Sequence, residues 1–135
     1  AVAAEQHYRH LCALLQKLFA AFAIPTDYHS VPGSFCDGRF NLASGGRKIA
    51  GTAQYWQRRA APPQHTVLAS AVIIAADAGA LTARANRLEA ALHSPQRYRP
   101  DSTTAIADYA AANAEAVAAT LRDLLQNGAA TWPET

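Results

Sequence analysis

Leu11, Leu14, Leu15, Leu18, Phe19 and Phe22 recur at i, i+3, i+4, i+7, i+8 and i+11, the spacing of one apolar helix face. They predict a helix from Ala3 to Ala23, stopped by Pro25. Cys12 falls inside this pattern and is expected in the core. Tyr28 to Val31 reads as a short strand. Pro32, Gly33 and Ser34 break regularity, and Phe35-Cys36-Asp37-Gly38 reads as a turn-rich loop. A hairpin follows. Arg39 to Ala43 alternates, with Phe40 and Leu42 on one side and Arg39 and Asn41 on the other. Ser44-Gly45-Gly46 turns the chain, and Arg47 to Gln57 returns.

Arg58 to Gln64, with Pro62-Pro63, is expected as a loop. Thr66 to Ala75 is apolar on both faces and predicts a central strand. Leu81 to Leu92 predicts a helix with Leu81, Ala85, Leu88 and Leu92 on one face. Ser94 to Ser102 is irregular and carries Arg97 and Arg99. Thr104 to Tyr109 reads as a short helix capped by Ser102 or Thr103. Asn113 to Gln126 predicts a last helix with Val117, Leu121, Leu124 and Leu125 inward and Gly128 at its end. Helix, strands and then helices give an α+β fold, a mostly antiparallel sheet with flanking helices.

Composition narrows the class. The chain has 135 residues, half of them apolar and 16% charged, which suits one domain with one core and excludes a solvating tail. About a quarter of the residues are alanine, which favours helix. No apolar run is long enough for a membrane span, and no secretory leader pattern opens the chain. Two cysteines cannot build a disulfide scaffold, so a cytoplasmic setting is expected. The net charge of +2 does not demand nucleic acid. The chain holds no methionine, which suggests a trimmed start or a fragment.

The informative chemistry lies between Gly33 and Gln54. A thiol, Cys36, stands on a glycine-flanked loop directly before the hairpin. A cation, Lys48, stands on the returning strand beside the small residues Ala50, Gly51, Thr52 and Ala53. Such a lysine suits a polarised carbonyl or a phosphate, and a thiol near it becomes a usable nucleophile. Taken alone, Cys36 also reads as a small buried hydrophobe, and Lys48 as a solvated edge charge. His7, His10, His29 and His93 show no metal-ligand spacing and read as surface. Asp27, Asp37, Asp77, Asp101 and Asp108 are scattered without a carboxylate pair, and no phosphate-binding glycine motif occurs.

The string GRKIAGTAQ (Gly46 to Gln54), preceded by RFNLAS and followed by QHTVLASAVI (Gln64 to Ile73), resembles the lipoate–protein ligase A and octanoyltransferase family. That family shares its fold with biotin–protein ligases, a class II synthetase-like architecture. Thr66 follows His65 where the family usually has glycine. The resemblance covers roughly Leu11 to Tyr109. It implies that Lys48 holds the acyl carbonyl, or the carbonyl and phosphate of an acyl-adenylate. It implies that Gly51, Thr52 and Ala53 line the acyl tunnel and that His65 is a structural or rim position. Cys36, in GSFCDG, resembles the acyl-accepting thiol of the transferase branch.

The family's arginine-rich triple-glycine segment does not occur here. The 135 residues therefore look like one domain that is the C-terminal half of a larger catalytic domain, completed by an N-terminal segment or a second subunit. The implied function is octanoyl or lipoyl transfer to a lysine of lipoyl-domain proteins through a Cys36 thioester. The alternatives are an ATP-dependent lipoate ligase that holds an adenylate on Lys48, and a non-catalytic half-domain that binds an acyl chain or a partner. Lipoyl-domain or acyl-carrier proteins are the implied partners. Tyr55, Trp56, Arg58 and Arg59 invite a nucleic-acid reading, but the family places a variable basic turn there. An acidic protein partner fits better, with Arg97 and Arg99 serving the same docking or remaining solvated loop charges.

Overall fold

The apolar face read from the first helix is where the core forms. A computed structural model describes residues 2–60 and 65–128, and the expected loop around Pro62-Pro63 falls largely outside them. Helix α1 (Val2–Ala21) buries Leu11, Cys12, Leu14, Leu15, Leu18 and Phe19. It ends two residues before the predicted Ala23. Ala23 takes a left-handed conformation (φ +57°), and the Ile24 N–H returns to the Phe19 carbonyl at 3.0 Å. This C-terminal cap stops the helix before Pro25 acts.

The sheet has four antiparallel strands in the order β1 (Asp27–Tyr28), β2 (Leu42–Ser44), β3 (Arg47–Arg58) and β4 (His65–Ile73). Gly45 and Gly46 both have positive φ (+55° and +73°), so the β2–β3 turn is of the tight primed kind that matches strand twist. The first two strands are shorter or displaced from the reading Tyr28–Val31 and Arg39–Ala43. The Asp37 side chain is the reason. It accepts from Ser30, Val31 and Asn41, and so ties both segments into the loop instead of the ladder.

Strands β3 and β4 pair over nine positions, from Ala50↔Ile73 to Arg58↔His65. The face bearing Ala50, Ala69, Ala71 and Ile73 packs on α1 and on α3 (Ala114–Gln126). The opposite face carries Gly51, Ala53, Tyr55, Leu68, Ser70 and Val72, and Leu68 and Val72 are 62% and 69% exposed. The expectation of a central β4 is therefore corrected: among the described residues β4 has one neighbour and is an edge strand. An apolar run on both faces reports the lack of a polar face, not the presence of two neighbours.

Helix α2 (Ala78–Ala91) starts three residues before Leu81, because Ala78, Gly79 and Ala80 carry no periodic signal. The stripe of Leu81, Leu88 and Leu92 faces outward, with Leu88 60% exposed. The other side of α2 is the docked one. Asn86 exchanges two hydrogen bonds with the Tyr98 backbone (2.7 and 2.9 Å), and the Tyr98 hydroxyl donates to Glu89 at 2.6 Å. Spacing shows that a helix has a stripe and does not show what the stripe faces.

Pro100–Ser102 and Ile106–Asp108 are 3₁₀ turns. Asp108 accepts from the Thr104 hydroxyl at 2.7 Å and the Ala105 N–H at 2.9 Å. The turn is thus tied by its own end and not capped by Ser102 or Thr103. These donors also hold the Asp108 carboxyl below its ordinary range. In α3, Asn113 is the N-cap and accepts from the Ala116 N–H at 2.9 Å. Val117 is buried, while Leu125, expected inward, is half exposed. His7, read as surface, is buried with its ring 5.7 Å from that of Trp56. No described helix is long and apolar enough to cross a membrane.

Candidate active site

Lys48 is the second residue of β3, and its side chain is 2% exposed. It runs past Gly51, whose lack of a side chain makes the path: a Cβ there would stand 3.1 Å from Nζ and 3.2 Å from Cε. The ammonium then meets the loop before the hairpin. Nζ donates to the Phe35 and Cys36 carbonyls, both at 2.7 Å, and lies 5.4 Å from the centre of the Phe35 ring. Burial pushes the Lys48 pKa down, against the opposing fields of Cys36 and Asp37. An ammonium has three N–H donors. Two serve the loop, and the third has no acceptor among the described residues.

Cys36 sits where this loop turns. It is exposed, and its backbone is left-handed at φ +48°, an uncommon conformation for a residue with a side chain. Cys36 and Lys48 border one cavity of about 310 Å³, at the small end of the range for ligand sites. Its walls are mostly apolar: Phe35 from the loop, Ala53 and Gly51 from β3, and Ala71, Val72 and Ile74 from β4 and just beyond it. The strand register explains the wall, since Gly51 faces Val72 and Ala53 faces Ser70. The loop is tied on its outer side too. Thr52 borders the cavity, but its hydroxyl donates to the Phe40 carbonyl at 2.7 Å, and the Phe40 ring stacks on Tyr8 with centroids 4.6 Å apart.

Of the residues singled out in the sequence, Cys36, Lys48, Gly51, Thr52 and Ala53 come together at this cavity. His65 does not. It pairs with Arg58 at the far end of the ladder, against the Trp56 ring, roughly 24 Å along β4 from Val72 at about 3.4 Å per residue. Arg99 lies against the base of the loop: its backbone N–H donates to the Gly33 carbonyl at 2.8 Å, and its side-chain carbons approach Gly33 while the guanidinium pairs with Asp101 at 3.3 Å and stays largely exposed. Cys12 lies in the core, and burial raises its thiol pKa to about 11. Among the described residues no three His, Cys, Asp or Glu side chains gather where a metal ion could sit.

Asp37 carries no motif signal, yet it is the hub of the loop. Oδ1 accepts from the Val31 N–H (2.7 Å), the Gly38 N–H (2.8 Å) and Asn41 (2.8 Å), and Oδ2 accepts from Ser30 (2.6 Å). Desolvation opposes its charge, but these donors and the Lys48 field outweigh it and hold the carboxyl below its ordinary value of 3.8. A carboxyl depressed on folding stabilises above its unfolded pKa and loses that contribution as pH falls through the folded one. The protection factors of the Val31 and Gly38 amides, measured by NMR and corrected for intrinsic exchange at each pH, are therefore expected to be high at neutral pH and to fall as pH drops below 3.8 through the lowered folded value.

Comparison with known proteins bears on this site. No protein-family profile matches the chain. An uncharacterised protein of Cupriavidus necator is 40% identical over 121 residues, covering 82% of this chain and 48% of that protein. An octanoyl-GcvH:protein N-octanoyltransferase of Kyrpidia tusciae is 42% identical over 62 residues, 46% of this chain and 22% of that enzyme. The enzyme of the same name in Geobacillus kaustophilus is 34% identical over 53 residues, 39% of this chain and 19% of that enzyme. The chain thus spans about half the length of the first relative and about a fifth of each transferase.

Proposed function

We propose that this chain carries the acyl-accepting part of an octanoyltransferase of the biotin/lipoate ligase-like fold, acting on lipoyl-domain proteins. The observation that carries this reading is the meeting of an exposed thiol, Cys36, and a buried ammonium, Lys48, at the mouth of one small apolar cavity. The partial identity to two enzymes named as octanoyltransferases supports it.

In the first step the Cys36 thiolate attacks the carbonyl carbon of an octanoyl thioester. A new C–S bond forms, the donor's C–S bond breaks, and the donor thiol leaves with the proton that Cys36 gave up. The remaining N–H of Lys48 stabilises the charge that develops on the carbonyl oxygen. The tail lies between Phe35 and the β3–β4 wall. In the second step a lysine amine of the target protein attacks the Cys36 thioester. A C–N bond forms, the C–S bond breaks, and the proton shed by the amine returns to Cys36. The exchange is redox-neutral.

The first step needs only groups present here. The second draws on polypeptide outside these 135 residues, in the same chain or another, to complete the cavity and seat the target. The exposed Tyr55 and Leu68, on the same sheet face as the exposed cavity residue Val72, support that division, as does the half-length match to the Cupriavidus protein. ATP has no part in either step, whereas an adenylate-forming ligase would require it. The test is octanoyl transfer from octanoyl-coenzyme A. Acylation of Cys36 without ATP supports the transferase. Octanoyl-AMP formation from octanoate and ATP, with Cys36 unmodified, overturns it.

Gly51→Ala probes the fit beneath the ammonium. The added Cβ would sit 3.1 Å from Nζ, tighter than ordinary contact, so the tip of Lys48 must move by a few tenths of an ångström. Since a 1 Å error near the chemistry costs about 100-fold, the Cys36 acylation rate is expected to fall about tenfold with little change in melting temperature.

A further inference from the structure

Next to the two chemical groups of this site stands a carboxylate to which neither the motif nor the relatives assign a role. Asp37 follows Cys36 directly, and its carboxylate is held by donors of the loop. Four donors converge on it: the Ser30 hydroxyl, the Val31 and Gly38 N–H groups and the Asn41 amide, all at 2.6–2.8 Å. These donors come from the segment entering the loop, from the loop itself and from the residue just before β2. On the other side of the same turn, the Phe35 and Cys36 carbonyls are fixed on Lys48. Cys36 is therefore fixed by two anchors, the carboxylate of the residue that follows it and the ammonium that holds its own carbonyl.

The backbone conformation shows that the anchors hold against resistance. A non-glycine residue at φ +48° is in a sparsely populated conformation that persists only where the surroundings over-determine it. Cys36 cannot supply the restraint itself, because its side chain is exposed and only its carbonyl is bound. With the carboxylate gone, the donors at Val31 and Gly38 would turn to water and the peptide after Cys36 would relax. Both the thiol and the two carbonyls would then drift from Lys48.

We infer that Asp37 is the positioning residue that holds the Cys36 thiol in register with the Lys48 ammonium. The inference rests on the acyl-thioester reading above. Asp37→Asn keeps the shape and loses the charge and part of the acceptor capacity. Asp37→Ala removes all four contacts. Asn41→Ala removes one of them and leaves the carboxylate.

The experiment measures two reactions of Cys36 in each variant by mass spectrometry: acylation by octanoyl-coenzyme A over a concentration series, and alkylation by iodoacetamide. A small alkylating agent needs only an exposed thiol, whereas acylation needs the thiol beside Lys48. Asp37→Asn is expected to lower the saturating acylation rate about 10–100-fold, with the half-saturating concentration and the alkylation rate within about twofold of wild type. Asn41→Ala should give a smaller loss of the same kind, and it decides the matter if either Asp37 variant fails to fold. Continued protection of the buried Cys12 reports the fold. The inference is overturned if Asp37→Asn acylates at the wild-type rate, if only the half-saturating concentration rises, or if alkylation falls in parallel with acylation. A wild-type protein that takes no octanoyl group overturns the acyl-thioester reading and this inference with it, and is recognised by the wild-type arm alone.

Discussion

Lys48→Ala is expected to slow acylation of Cys36 by about 10²–10³-fold, the effect of removing one preorganised donor from a developing oxyanion. The variant loses more than that donor. Nζ also holds the Phe35 and Cys36 carbonyls, so the loop that presents the thiol is released at the same time. Hydrogen bonds to a charged group contribute about 1.5–3 kcal/mol each, but removing a desolvated ammonium also relieves a penalty of several kcal/mol. These terms oppose, so the fall in stability is expected to be far smaller than the fall in rate. Lys48→Met fills the space without the charge and should show the same loss of rate with a smaller change in melting temperature. Retention of half the wild-type acylation rate in either variant would leave Lys48 with a structural role only.

The second large effect is the counterpart of the first. Cys36→Ser should abolish acyl-enzyme formation and lower transfer by at least about 10³-fold, as removal of an essential nucleophile does. Its cost in stability is expected to lie within about 0.5 kcal/mol, because the side chain is exposed and surface changes of this kind cost little. The tie to Lys48 runs through the Cys36 carbonyl, which serine keeps. Thermal melting and transfer assays on the two variants thus divide the site: one is felt by chemistry and fold together, the other by chemistry alone.

Much of this was legible in the residues, and the exceptions share a cause. The apolar spacing of α1 placed Leu11 through Phe19 in the core, and the double glycine placed the hairpin turn. The cavity residues Cys36, Lys48, Gly51, Thr52 and Ala53 were legible because a hairpin brings sequence neighbours together. What stayed hidden depends on contacts between distant segments. Strand β4 looked central because apolar residues fall on both its faces, while the number of its neighbours is a matter of tertiary pairing. The leucine stripe of α2 faces outward because Tyr98 claims the polar side of that helix. Asp37 looked like one scattered acid, since its donors lie up to seven residues away on either side of a loop with no periodic pattern. His65 fell outside the cavity because β4 carries it along the ladder, a distance the motif does not encode.

The most direct test is the mass of the protein after incubation with octanoyl-coenzyme A, followed by peptide mapping. The account predicts a gain of one octanoyl group, located on Cys36, absent from Cys36→Ser and strongly slowed in Lys48→Ala. A protein whose mass does not change, or one acylated only at a lysine or at Cys12, would contradict it.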